Sequence, residues 1–265
     1  MKKIFAVAVS AVMAGGIFAA EALQPQKVTD FRGYLKSARD IENGIRIITP
    51  GSHVQFVTLK KIAVDPGKKY LITCEYRRTP GTQGEGRFYF APVCYDKDGR
   101  EIKVTSVNCV NGTDTILAAA AKKGDKVVKI KNGAKWVLRY ANIAFNTKAD
   151  YSDLPNADIV PVAAIKQNGA VWELTLKAPL AKDYPAGTAV REQLDGATYR
   201  YVLGHIAPET EWKKASRVFS GERRENIPGS ASCWRPGTRQ AGIIIFSAGK
   251  AMDLEIRNIS LTEVK

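Results

Sequence analysis

The sequence predicts an all-β chain arranged as a β-sandwich, and three observations predict it. From Lys69 to Arg77 the residues alternate, with Tyr70, Ile72, Cys74 and Tyr76 on one side and Leu71, Thr73, Glu75 and Arg77 on the other. A period of two is what a half-buried strand requires. Similar short runs recur, punctuated by turn pairs at Asn43-Gly44, Asp98-Gly99, Asn111-Gly112, Asn132-Gly133, Asn168-Gly169 and Asp195-Gly196. Helical periodicity is nearly absent: Ile116 to Lys123 is helix-prone, but it is short and Gly124-Asp125 stops it.

Taken in order, residues 1–22 read as an export signal. Lys2 and Lys3 precede an apolar run from Ile4 to Ala20, and Ala20-Glu21-Ala22 supplies a small-x-small cleavage pattern, so that Leu23 opens the mature chain. No Cys follows that run to carry a lipid, and no later stretch is long and apolar enough to span a bilayer. The expected destination is the periplasm, the cell surface or the medium.

Strands are expected at Lys69–Arg77, Arg87–Tyr95, Glu101–Val110, Gly242–Ser247 and Met252–Leu261. The 79–86 turn is expected to pair the first two, bringing Cys74 near Cys94. Residues 113–193 differ in texture. They hold an Ala-rich run, a Lys-laced strand at Val127–Lys131, an expected strand at Lys135–Phe145, and further strands at Ile159–Ile165 and Val171–Leu176. Insertion into a surface loop costs little entropy. The expected organisation is therefore a discontinuous sandwich from 23–112 and 194–265, with 113–193 as an inserted β subdomain.

Several flanking patterns, in this order, resemble carbohydrate-binding modules of the galactose-binding-like (CenC-type) jelly-roll group. They are Leu59 to Tyr70 with its Asp65-Pro66-Gly67 turn, Tyr89-Phe90-Ala91 followed by Tyr95 to Gly99, and Thr210-Glu211-Trp212 leading to Phe219-Ser220-Gly221. Cys233 to Thr238 and Ile256 to Glu263 complete the series. The resemblance implies a jelly roll that binds sugar on a sheet face or loop edge, a core position for Trp212 and, in many relatives, a structural calcium. Many relatives carry an Asp-Asp pair on the closing strand where Arg257 and Asn258 stand here, so no cofactor is expected, and the structural calcium that the resemblance implies stays open without support from these residues.

Two candidate binding clusters follow. If Tyr70 to Tyr76 face the core, Glu75 and Arg77 line the opposite sheet face, and Arg87 and Tyr89 on the next strand would share it. A Tyr platform edged by Arg and Glu suits a uronate or sulfated sugar, because guanidinium binds carboxylate and sulfate bidentately. The competing reading is a solvated face of cross-strand ion pairs. The second cluster is a Gly/Pro-bounded loop carrying Arg223, Arg224, Trp234 and Arg235, which could hold an anion; the alternative is a solvated loop with Trp234 packed beneath it. Trp172, alternating with Leu174 and Leu176, and Trp136, alternating with Leu138 and Tyr140, read as core. Asp96-x-Asp98-Gly99 starts like a calcium loop, but Glu101 comes too soon to close one, so a hairpin turn accounts for it.

Forty Lys and Arg against 26 Asp and Glu give a formal charge of +14, spread along the whole chain. Such a surface favours polyanions, whether acidic or sulfated glycans, anionic envelope lipids or nucleic acid, and charge alone does not choose among them. An acidic polysaccharide is the expected partner, and nucleic acid is not expected. Four cysteines, none in a C-x-x-C spacing, permit two disulfides or simply small buried residues. Catalysis has little support. There are two histidines, of which His205 lies in an apolar run and reads as a core residue, and no G-x-S-x-G, H-E-x-x-H or P-loop pattern occurs. The leading expectation is a non-catalytic polysaccharide binder. The alternatives are an adhesive or structural surface protein, and a polysaccharide lyase or glycosidase.

Overall fold

A computed structural model describes residues 22–51 and 53–265. Nearly all of the proposed export signal lies outside them. No helix among the described residues is long and apolar enough to cross a membrane. The described chain is all-β, with three antiparallel sheets.

Sheet I runs, in spatial order, through Lys213–Phe219, Lys69–Arg78, Met252–Val264, Gly44–Thr49 and Ala38–Ile41, with Ala22–Leu23 added beside Met252–Val264. Sheet II runs through Leu203–Ile206, Arg87–Tyr95, Gln240–Ala248, Val54–Thr58 and Phe31–Gly33, with Ile62–Ala63 added beside Gln240–Ala248. The two sheets pack face to face because each strand turns alternate apolar residues inward. Tyr70, Ile72, Cys74 and Tyr76 of sheet I meet Phe88, Phe90, Ile243 and Ile245 of sheet II in one buried cluster. The Tyr76 and Phe88 rings lie 5.1 Å apart across it. The Asn43-Gly44 signal closes the hairpin from Ala38–Ile41 to Gly44–Thr49. Glycine is required there by close packing, since a Cβ at Gly44 would sit 2.1 Å from the Ile256 carbonyl oxygen.

Sheet III is built wholly from Thr115–Ile116, Val127–Ile130, Ala141–Phe145, Ile159–Asn168, Val171–Leu176 and Ala189–Leu194. It has its own buried cluster around Ile130, Ile143, Phe145, Leu174 and Val190. Trp136 is buried in that cluster and Trp172 packs against it, half-buried.

Several local expectations are corrected. Lys69–Arg78 and Arg87–Tyr95 do not pair: they belong to opposite sheets, and residues 79–86 cross between them. Inward alternation on both strands is equally satisfied by facing sheets, and a connection of that length spans the roughly 10 Å between layers. Cys74 and Cys94 are thus not partners across a hairpin, and all four cysteines are free thiols. Glu101–Val110 is not a strand; after the Tyr95–Glu101 bridge it forms a single 3-10 turn at Val104–Ser106. The strand expected at Lys135–Phe145 begins only at Ala141, because Leu138 and Tyr140 take left-handed backbone angles and point outward. Asp96 supports a hairpin turn, its Oδ1 accepting from the Asp98 and Arg100 backbone N–H groups at 2.9 and 2.8 Å.

Candidate functional site

The residues singled out in the sequence do not converge on one groove, because the two sheets turn their outer faces in opposite directions. Glu75 and Arg77 lie on the outer face of sheet I; Arg87 and Tyr89 belong to sheet II.

On sheet I the charged side chains neutralise one another. Arg77 Nε donates to Glu255 at 2.8 Å and Arg257 Nε to Glu75 at 2.9 Å, both between strands in register. Both guanidiniums lie over the Trp212 ring, that of Arg77 4.5 Å and that of Arg257 3.9 Å from its centre. It is therefore half-buried on the outer face rather than in the core, which corrects the position implied for it. No group of three metal-ligating side chains occurs among the described residues.

Farther along the same face, Arg46 Nε donates to Asp253 at 2.7 Å and the Thr79 hydroxyl donates to the same carboxylate at 2.7 Å. Burial pushes the Asp253 carboxyl up, but the bonds from Arg46 and Thr79 and the nearby positive charges outweigh it and hold the group below its ordinary range. A lowered carboxyl contributes stability above its unfolded pKa and loses it as pH falls through the folded value. Arg46→Ala is expected to cost about 2 kcal/mol near neutral pH and to lessen the acid-side loss. Denaturant midpoints taken near neutrality and in acid check both effects.

The arginine loop is mostly consumed by the fold. Trp234 is fully buried, its ring 5.1 Å from Phe219 and 5.6 Å from Tyr70. Arg235 is buried and saturated: it donates to Glu225 at 2.9 Å, to the Ile102 carbonyl at 2.8 Å and to the Thr198 carbonyl at 2.8 Å. Neither is free to meet a ligand, which corrects their place among the binding residues. Arg224 donates to the Cys109 carbonyl and to Asn111, and lies 4.3 Å from the centre of the Tyr151 ring. Arg223 donates to the Pro228 carbonyl at 3.1 Å and remains exposed. The pair lines a shallow cleft with Tyr151 and Leu154, but its guanidiniums are already held by the chain.

The outer face of sheet II is different in kind. Strand alternation that sends Phe88, Phe90, Ile243 and Ile245 inward sends Tyr89, Ala91, Ile244 and Phe246 outward. The Tyr89 and Phe246 rings stack with centroids 4.3 Å apart and planes 6° from parallel. A segment approaching the edge of the sheet adds Tyr199 and Tyr201, the latter 5.4 Å from Tyr89. Together with His53, Gln55 and Thr198 these rings line an open pocket of about 300 Å³. The Tyr89 hydroxyl hydrogen-bonds His205 Nδ1 at 2.8 Å. His205 is exposed rather than in the core, which corrects its expected placement. Arg87, two residues before Tyr89, leaves the sheet on the same side of the strand, in register with Ala248.

The strap carrying Tyr199 and Tyr201 is fixed by a buried node behind it. Between the two tyrosines, Arg200 points the other way and donates to Glu225 at 3.0 Å, while Arg235 holds the Thr198 carbonyl. Both arginines share Glu225 Oε1. Burial lowers the Arg200 guanidinium and the Glu225 carboxylate opposes that shift. Burial also raises the Tyr201 phenol, and with Glu101 nearby it pushes Tyr199 up to about 12, so both hydroxyls keep their protons at neutral pH. The site thus offers flat apolar rings rimmed by hydroxyl, amide and imidazole groups.

Of the residues predicted for binding, Tyr89 lies in this site and Arg87 at its margin. The sequence reading missed Tyr199, Tyr201, His53, Gln55 and Phe246. The available signals were the Tyr199-x-Tyr201 spacing and the outward phase of Phe246 in an otherwise core-facing strand. No protein-family model and no curated protein matches the chain.

Proposed function

We infer that this chain is a carbohydrate-binding protein that holds its ligand without transforming it, on the aromatic outer face of sheet II. The observation that carries the reading is the Tyr89–Phe246–Tyr201–Tyr199 cluster lining an open pocket. Partly exposed aromatic surface suits the C–H faces of pyranose rings, and the surrounding hydroxyl and amide groups suit their hydroxyls. The order of galactose-binding-like motifs in the flanks supports the same reading. The excess of basic residues and Arg87 at the margin favour an acidic or sulfated polymer. Export to the periplasm, cell surface or medium accords with such a ligand.

Retention on immobilised glycans at low and high ionic strength tests this. The chain is expected to bind a uronate or sulfated polymer more tightly than a neutral one, and Tyr89→Ala is expected to weaken binding about tenfold. Arg87→Gln should remove most of the preference for the charged polymer while leaving residual binding. No retention on any glycan at low salt would sink the proposal.

One observation favours a second reading, as a polysaccharide lyase. Tyr89, which lines the pocket, is in hydrogen-bond contact with the exposed His205. In an elimination on a uronate, His205 would take the C5 proton and Tyr89 would protonate the departing oxygen as the C4–O bond breaks and a C4–C5 double bond forms. Ultraviolet absorbance from unsaturated products, abolished by His205→Ala, is what this reading requires. Its absence on uronate polymers that the chain binds leaves the non-catalytic one.

A further inference from the structure

Away from the aromatic face, sheet III carries an unusual loop. The stretch Lys131 to Tyr140 contains Lys131, Lys135 and Arg139 and no acidic residue. All three cations are exposed, and among them stand Val137, Leu138 and Tyr140, exposed by 57%, 37% and 61%. Large apolar side chains this open, clustered in four residues, contrast with Trp136 beside them, which is buried and donates its indole N–H to the Thr113 carbonyl at 3.3 Å.

The loop is held rigidly in this display. Glu192, fully buried, receives the backbone N–H of Val137 at 3.0 Å and that of Leu138 at 3.2 Å. The Tyr140 carbonyl accepts from the Asp195 N–H at 3.0 Å and from the Asn142 side chain at 3.1 Å. Leu138 and Tyr140 both adopt positive φ, 58° and 62°, a region that bulky L-residues avoid. Asn or Gly would occupy those positions with less strain, so the apolar side chains of Leu138 and Tyr140 stand there against the local backbone preference. Solvent gains nothing from such an arrangement.

We propose that the 135–140 loop is a membrane-docking tip that seats Val137, Leu138 and Tyr140 at the surface of a bilayer containing anionic lipid. Charge complementarity selects this occupant: apolar side chains enter the acyl boundary while Lys131, Lys135 and Arg139 meet the headgroups. A tyrosine at the rim matches the interfacial preference of its ring and hydroxyl. Each cation near an anionic surface contributes roughly fivefold in affinity, so neutral bilayers should bind far more weakly.

Flotation of the purified chain with phosphatidylcholine vesicles, with and without phosphatidylglycerol, tests the proposal. Recovery is expected with the phosphatidylglycerol vesicles, falling with salt, and little with phosphatidylcholine alone. The Leu138→Asn/Tyr140→Asn variant, whose new side chains tolerate positive φ, should keep its thermal midpoint and lose binding about tenfold or more. Lys135→Gln/Arg139→Gln should reduce it comparably, and Tyr89→Ala should leave it unchanged. Absence of recovery, equal recovery by the Asn variant at an unchanged midpoint, or loop-dependent self-association in place of vesicle binding would each overturn it.

Discussion

Replacing Glu225 by Ala is expected to destabilise the chain by about 4 kcal/mol, and also to impair ligand binding at a surface Glu225 never touches. Its carboxylate is shared by Arg200 and Arg235, both buried, at 3.0 and 2.9 Å. Removing it leaves two like charges facing each other with little water to screen them, a larger penalty than losing a surface ion pair. The same node fixes the strap that places Tyr199 and Tyr201 over the outer face of sheet II. Glu225→Ala should therefore lower both the denaturant midpoint and glycan affinity. Tyr199→Ala should lower affinity with only a small change in midpoint. A Glu225→Ala protein of unchanged midpoint would show that the node is not structural.

Trp234→Ala is expected to cost about as much, near 4 kcal/mol, and to lower the thermal midpoint by about 10 °C. The side chain is fully buried between Phe219 and Tyr70, where the sandwich cannot collapse around the lost volume without moving both sheet I strands. Its indole N–H has no hydrogen-bond partner among the described residues. Trp234→Phe should then cost only about 1–2 kcal/mol, since no bond is broken and most of the volume is kept. Trp212→Ala, which removes a half-exposed ring in contact with two arginines, should cost about 1 kcal/mol. Reversal of the Trp234 and Trp212 results would contradict the assignment of one to the core and the other to the surface.

The frame of the fold was legible because strand alternation is local. Tyr70 to Tyr76, Gly242 to Ser247, and Met252 to Leu261 each declare their inward face by spacing alone, and the Asn43-Gly44 and Asn168-Gly169 pairs do close hairpins. Which sheet a strand joins is not local. Residues 79–86 have turn composition whether they close a hairpin or cross between layers, and this one choice moved Arg87 and Tyr89 to the opposite side of the molecule from Glu75 and Arg77. The candidate site was partly hidden for the same reason. Tyr199 and Tyr201 reach Tyr89 only through a strap fixed by Arg200, Arg235 and Glu225, residues far apart in sequence. Arg235 looked like a ligand-binding arginine because nothing local marks a guanidinium as saturated by the Ile102 and Thr198 carbonyls.

Backbone amide chemical-shift mapping during titration with an acidic oligosaccharide tests the binding surface most directly. Shifts are expected at His53 to Val57, Arg87 to Ala91, Thr198 to His205 and Ile244 to Ala248, which together form the outer face of sheet II and its strap. Shifts confined to the Glu75–Arg77–Trp212 face or to the 222–236 loop, with the aromatic face silent, would contradict the account.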